Sequence, residues 1–516
     1  MLLNHFLEQS SNLFPQKVAL ICQGKRYTFS EIDNAANSLG NALLEHGFQK
    51  QDRVIIYLDN SFETVISIFG TLKAGGIFVT INPTVKSKKL DFILTDCGPR
   101  VLITDSNHIM ELYAAQSRLK GLALIIITDF EEINLSKELI TSIRLFPFRD
   151  MIQSADPVHL VQPCIDIDLA SLIYTSGSSG SPKGVMLTHL NMVSAANSIT
   201  QYLENNQDDI IIDTLPLSFD YGLYQVLMAF KISGTVVLEK GFVFPEQIIN
   251  LVIKEKVTGW PMIPTIAAIL CRLKNLEKHD FSRLRYITST GHVLPTTHIV
   301  RLIEAFPGTK IYSMYGLTEC KRVSYLSPQD IEKKPSSVGK SIPNTEVYIV
   351  NDMGEEITEP GIVGELVVRG SNVMRGYWNL PELTERVLRP GRYPGEKVLY
   401  TSDLFKKDEE GYLYFIGRKD NIIKTSGYMV SPKEVENVLY EIEDVIEAAV
   451  IGVQDEILGQ AIKAYIHLST NSKTNERNIL DFCNKNLESY AIPKYVIFCG
   501  PLPKTESGKI QKRDLQ

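Results

Sequence analysis

Residues 174–184 read Y-T-S-G-S-S-G-S-P-K-G, and no other stretch constrains the fold and chemistry of this chain as tightly. The apolar run L-A-S-L-I precedes it over residues 169–173, and V-M-L-T-H follows before a helix-like run opens at Asn191. Glycine permits φ > 0 and close backbone approach, so peptide N–H groups can converge on an anion. Thr175, Ser176, Gly177, Ser178, Ser179, Gly180 and Lys183 therefore form a candidate polyphosphate cradle between a predicted strand and a predicted helix.

A flexible linker is the alternative for such composition. Linkers seldom place Thr, Pro and Lys at fixed positions between two apolar segments. The pattern is also not G-x-x-x-x-G-K-S/T, because Lys183 follows Pro182 and precedes Gly184. A P-loop kinase or GTPase is disfavoured.

At 516 residues the chain exceeds the ~250–300 residues that a single core serves, so two or more domains are expected. A net charge of −7 over that length argues against a nucleic-acid surface. The seven cysteines form no C-x-x-C pair, which points to reduced thiols and not to a disulfide frame or zinc site. Residues 1–5 lack a basic leader region, Glu8 interrupts the short apolar run, and no window reaches about 18 uncharged apolar residues. The expectation is a cytoplasmic protein without membrane insertion.

Strand-like and helix-like runs alternate through the first 330 residues, the pattern of doubly wound α/β halves. Ser30 is a predicted helix cap, and residues 130–165 carry no motif and read as a surface connection. Several predicted strands end in loops, at residues 216–222, 260–265, 286–292 and 310–319. In an open α/β sheet such ends can converge on one crevice. From about Ser337 the texture turns β-rich, and the last hundred residues read as a small α+β unit beyond the charged stretch 417–421.

T-S-G-S-S-G-S-P-K-G-V, Y-G-L-T-E (315–319), Y-T-S-D (400–403), G-R (417–418) and P-K-T-E-S-G-K (503–509) stand in the order found in the AMP-forming adenylating superfamily. The chain resembles that superfamily, whose members include acyl-CoA synthetases, nonribosomal adenylation enzymes and luciferases, over essentially its whole length. The resemblance implies a large N-terminal α/β domain with a β-rich subdomain (1–417) and a small mobile C-terminal domain (418–516). It implies ATP and Mg²⁺ as requirements, with no prosthetic group. The cradle would hold the β- and γ-phosphates. Tyr315, Gly316, Thr318 and Glu319 would face the α-phosphate, and Glu319 and Thr175 the Mg²⁺. Asp403 and Arg418 would contact the ribose, and Gly291 and His292 the adenine. Ser402 stands where the family usually has glycine, and His292-Val293 where Ala-Pro is commoner.

Lys509 would bridge the attacking carboxylate and the α-phosphate. It lies beyond a hinge at Asp420, so adenylation implies domain closure. Lys424 and Gly427 resemble the face lining the thiol tunnel of the second half-reaction, so rotation about Asp420 is implied.

The acid pocket would be built from Phe219, Asp220, Tyr221, Tyr224, Trp260, Thr290, Met314 and Arg322. Phe219-Asp220 resembles the F-D of amino-acid adenylation enzymes, where the aspartate meets the substrate ammonium. A buried carboxylate needs a cation, either a substrate amine or Arg322. The S-F-D-Y-G-L-Y-Q and Y-G-L-T-E-C-K-R runs look like stand-alone prolyl carrier-protein ligases and like acyl-CoA ligases of exopolysaccharide clusters. The leading expectation is activation of an amino acid such as proline, with transfer to the phosphopantetheine thiol of a separate carrier protein. The alternatives are an acyl- or aryl-CoA synthetase using CoA, and a nucleotide-binding module without turnover.

Overall fold

Runs such as Val54-Ile-Ile-Tyr57 and Ile210-Ile-Ile-Asp213 are β-branched and apolar on both faces, as strands covered by helices on each side must be. The computed structural model describes residues 1–85, 87–113, 121–130, 144–153, 157–158, 164–176, 182–273, 276–291, 294–425, 428–455, 457–470, 472–504 and 510–515. Among these, nine strands form one sheet in the order Lys340–Ser341, Ser324–Leu326, Lys310–Tyr315, Tyr286–Ser289, Gly259–Met262, Ile210–Asp213, Thr235–Leu238, Val18–Cys22 and Lys25–Thr28. Eight more form a second sheet: Gly376–Tyr377, Pro182–Thr188, Leu169–Ser176, Ile77–Thr80, Arg53–Tyr57, Val101–Thr104, Leu124–Ile127 and Arg144–Pro147. One apolar core, from Phe6 and Phe69 through Phe230 and Trp260 to Phe405, runs between the two sheets.

A β-rich sheet follows, with Thr345–Val350, Gly364–Gly370, Lys397–Lys407 and Leu388–Pro390 in order and Leu413–Arg418 also paired to Lys397–Lys407. The last sheet joins Tyr428–Val430, Ile423–Thr425, Gly459–Leu468 and Val445–Asp455, with Tyr495–Phe498 parallel to Gly459–Leu468. It packs with the helices Pro432–Tyr440 and Glu476–Asn486 around a core of its own, including Ile423, Val435, Val450, Ile466 and Ile479. This is the expected mixed α/β architecture with a large N-terminal and a small C-terminal part. No helix among the described residues is long and apolar enough to cross a membrane.

Three local expectations are corrected. The helix Phe29–Glu45 is capped by Thr28 and not Ser30: the Glu31 N–H donates to Thr28 Oγ1, and the Thr28 N–H donates to Glu31 Oε2 at 2.7 Å. That reciprocal box satisfies two otherwise orphaned donors. Within the stretch read as a connection, Arg144–Pro147 is an edge strand and Phe148–Gln153 a helix. The third correction concerns the cradle. Leu169–Ser176 is followed by the antiparallel strand Pro182–Thr188, and the helix His189–Tyr202 begins only after that. The glycine-rich segment joins a hairpin, not a strand to a helix, so no helix N-terminus stands directly behind it.

Candidate active site

The hairpin sets Thr175 opposite Lys183 and Ser176 opposite Pro182. Gly177, Ser178, Ser179 and Gly180 lie outside the described residues, as do His292, Gly427 and Lys509. Lys183 Nζ stands 5.2 Å from the centre of the Tyr377 ring. The Tyr377 hydroxyl donates to Glu319 Oε1 at 2.7 Å. The phosphate hairpin and the Y-G-L-T-E segment are thus brought together through a residue that the sequence motifs do not flag. Its sequence signal is Gly376-Tyr-Trp-Asn379, which reads as a short strand with turn signals.

Tyr315, at the end of Lys310–Tyr315, donates its hydroxyl to Asp403 Oδ2 at 2.5 Å. Burial and the neighbouring Asp403 both push the Tyr315 phenol well above its usual range, so it remains a donor. Asp403 pairs in register with Arg418 across antiparallel strands, and Arg418 Nε lies 3.4 Å from Asp403 Oδ1. Lys183, Tyr315, Glu319, Asp403 and Arg418 therefore gather at one site from elements far apart in sequence. Ser402 sits at φ 58°, in the left-handed region that favours glycine.

Gly316 is required by a close approach: a Cβ there would meet the Lys321 carbonyl oxygen at 2.2 Å. The loop after Tyr315 folds back so tightly that Lys321 adopts φ 61°, and Asn372 pins the turn by donating to the carbonyls of Cys320 and Arg322. Thr318 lies in that turn, part-exposed, one residue before Glu319.

The consequence is an ion pair absent from the sequence expectation. Asp220, in the first turn of Asp220–Lys231, meets a cation that neither alternative named: Lys321 Nζ lies 3.3 Å from its Oδ2. Lys321 also stands 4.3 Å above the Tyr224 ring, and the Arg322 guanidinium 5.3 Å from the Tyr221 ring. Burial lowers the Lys321 pKa to about 7, against the pull of Asp220, while Arg322 lowers it further. Asp213, fully buried nearby, has its pKa raised well above the carboxylate range by desolvation. Arg322 is 2% exposed, and among the described residues its Nε has no hydrogen-bond acceptor.

The other pocket candidates divide. Tyr221 donates to the Thr288 carbonyl at 2.9 Å, and Met314 Sδ accepts from Tyr202 at 3.1 Å. Phe219 is the part-buried cap before Asp220–Lys231, with its ring edge-on to Tyr221 at 6.4 Å. Thr290 and Gly291 follow the strand Tyr286–Ser289, Gly291 at φ 92°. Trp260 is 0% exposed, with its ring edge-on to Phe306 at 6.0 Å in the core. In the small domain the backbone of Lys424 lies in Ile423–Thr425 and that of Asp420 in the short helical turn Lys419–Asn421.

For Mg²⁺ the donor chemistry is suitable: a carboxylate, Glu319, already held at one oxygen by the Tyr377 hydroxyl. Mg²⁺ is usually bound through one or two carboxylates, with phosphates and water completing the shell.

Fold and site together define an ATP-dependent, AMP-forming acid–thiol ligase. The chain belongs to the AMP-binding enzyme family: its model matches residues 7–378, and that of the AMP-binding enzyme C-terminal domain matches residues 434–509. A long-chain-fatty-acid–CoA ligase of Bacillus subtilis is 32% identical, over 99% of this chain and 94% of its own. The crystal structure of an anthranilate–CoA ligase in complex with anthranoyl-AMP superposes with a TM-score of 0.90 at 29% identity, covering 100% of this chain and 96% of the other. An o-succinylbenzoate–CoA synthetase of Bacillus subtilis, in complex with ATP and magnesium ion, does so at 0.84 and 27% identity, covering 99% and 98%.

Proposed function

We propose that this enzyme is an acid–CoA ligase whose substrate carries no α-ammonium group. The observation that carries the reading is the Lys321–Asp220 pair at 3.3 Å, which supplies the buried aspartate with a cation from the chain itself. The amino-acid expectation rested on the likeness of Phe219-Asp220 and its flanking run to amino-acid-activating ligases, and on Asp220 needing a cation that a substrate amine could supply. With that need met, the buried Arg322 guanidinium, which also reaches Tyr202, keeps an Nε with no acceptor among the described residues. It suits an acid bearing a hydrogen-bond acceptor or a second negative charge. CoA as acceptor is supported by relatives whose names describe CoA ligases, and it replaces the carrier protein as the leading choice.

In the first half-reaction a carboxylate oxygen of the acid attacks the α-phosphorus of ATP, and the bond to the bridging oxygen breaks to release pyrophosphate. Lys183 and the hairpin hold the outer phosphates, and Asp403 and Arg418 orient the ribose. Mg²⁺ bound at Glu319 would neutralise charge on the phosphate oxygens. Lys509 bridges carboxylate and phosphate. In the second half-reaction the thiolate of CoA attacks the acyl carbonyl carbon and AMP leaves. Lys424 and Gly427 line the thiol path after the small domain rotates about Asp420. Positioning and preorganised charge dominate such chemistry.

The test is AMP release from the full chain with ATP, Mg²⁺ and a panel of fatty, aryl, hydroxy-, dicarboxylic and amino acids, offered CoA or a phosphopantetheinylated carrier. Turnover with CoA and a non-amino acid supports the reading. Turnover confined to an amino acid and a carrier refutes it. Arg322→Met should depress turnover of the acceptor-bearing acid over its plain analogue by roughly 10-fold or more.

A further inference from the structure

Tyr377 belongs to none of the phosphate, ribose or acid motifs, yet it is 5% exposed and sits between two of them. Its segment is fastened on three sides. The Met374 N–H donates to the Glu319 carbonyl at 2.7 Å, directly beside the Y-G-L-T-E turn. Gly376–Tyr377 pairs antiparallel with Pro182–Thr188, and the Trp378 N–H donates to the Gly184 carbonyl at 2.7 Å. The Trp378 indole N–H and the Asn379 amide both reach the Asp96 carbonyl at 3.0 Å. A side chain on so constrained a backbone has little freedom of its own. It lends that rigidity to whatever it touches.

What it touches is the candidate metal carboxylate at one end and the phosphate-hairpin lysine at the other. The hydroxyl donates to Glu319 Oε1 at 2.7 Å, and the ring lies 5.2 Å from Lys183 Nζ. Among the described residues Glu319 Oε2 makes no hydrogen bond or ion pair. A glutamate held in one rotamer before its ligand arrives loses less side-chain entropy on binding it. An ammonium over an aromatic face is likewise held without losing its charge.

We infer that Tyr377 is a positioning residue for the metal-bound triphosphate: it locks Glu319 through one oxygen, leaves the other for the metal, and seats Lys183 on its ring. The inference rests on Glu319 being the metal-facing carboxylate. The experiment separates the two ideas by calorimetric titration of the full chain with α,β-methylene-ATP, with Mg²⁺ or with EDTA, and with AMP alone as a control. The proteins are the parent, Tyr377→Phe, Glu319→Gln and the double variant.

Tyr377→Phe should weaken Mg²⁺-dependent nucleotide binding by roughly tenfold, the worth of a hydrogen bond to a charged group, with AMP binding unchanged. Added to Glu319→Gln it should bring no further loss, because it acts through that carboxylate. Parent-like Mg²⁺-dependent affinity in Tyr377→Phe, while Glu319→Gln loses it, overturns the positioning role. So do additive losses in the double variant, or equal losses for AMP. If Glu319→Gln itself leaves Mg²⁺-dependent binding intact, the Glu319 assignment falls and the inference with it.

Discussion

Lys321 Nζ lies 3.3 Å from Asp220 Oδ2, with both side chains buried beside Tyr221 and Tyr224. Breaking one side of such a pair strands the other. Asp220→Ala should cost about 3–5 kcal/mol at pH 6, where the parent pair is fully charged, and less at pH 9, where the parent lysine has already lost its proton. Urea denaturation at the two pH values reads both. The double replacement Asp220→Leu with Lys321→Met should recover most of the loss, since it leaves no uncompensated charge.

Lys321 also predicts a pH profile. Its folded pKa, about 7, lies below the value of 10.5 for an unperturbed lysine, burial being the main cause and Asp220 the main opposing one. Between those values the unfolded chain holds a proton that the folded chain does not. This group's contribution therefore makes stability rise with pH from about 7 to about 10.5. The folded lysine itself loses its charge around pH 7, so KM for an anionic acid bound beside it should increase as pH rises through that value. Denaturation midpoints and KM measured against pH should both flatten in Lys321→Met.

Ser402 stands at φ 58° where the superfamily pattern has glycine. An L-residue there is strained by about 1–2 kcal/mol. Glycine relieves that strain but loses some of the gain to its greater freedom when unfolded. Ser402→Gly should stabilise the protein by roughly 0.5–1 kcal/mol, seen as a raised Tm. KM for ATP should not move, because Asp403 keeps its bonds to Tyr315 and Arg418.

Lys509→Ala should slow acid-dependent ATP–pyrophosphate exchange by about 10²–10³, the effect of losing one preorganised donor to a developing anion. Thioester formation from a preformed acyl-adenylate and CoA should persist if, as proposed, the small domain turns about Asp420 and presents its other face for that step. Single-turnover assays of the two half-reactions distinguish this split from general damage.

Much of the fold was legible in order along the chain. Helical spacing over residues 4–14 marks the helix that stands at His5–Leu13, the α+β unit expected in the last hundred residues holds the helices Pro432–Tyr440 and Glu476–Asn486, and apolar runs mark the parallel strands. What was missed turned on pairing. A run such as residues 182–188 reads equally well as a continuation of the loop, and only its hydrogen bonds to Leu169–Ser176 make it half of a hairpin. Arg144–Pro147 is an edge strand whose partner lies across a crossover, so no local pattern announces it.

The site divides the same way. The sequence, through its resemblance to the adenylating superfamily, carried the expectation of phosphate, ribose and carboxylate chemistry, because each matching motif holds its candidate groups within a few residues. Lys183, Glu319, Asp403, Arg418 and Lys509 were named because their motifs match that superfamily's in order, and all but Lys509 lie among the described residues. The tertiary structure alone decided what those groups lean on. Tyr377 reaches Glu319 only because its strand adds to the hairpin's edge. Lys321 reaches Asp220 only because a left-handed residue turns the chain back over Gly316. Both contacts join residues roughly 60–100 positions apart, and their energies depend on burial, which no local spacing encodes.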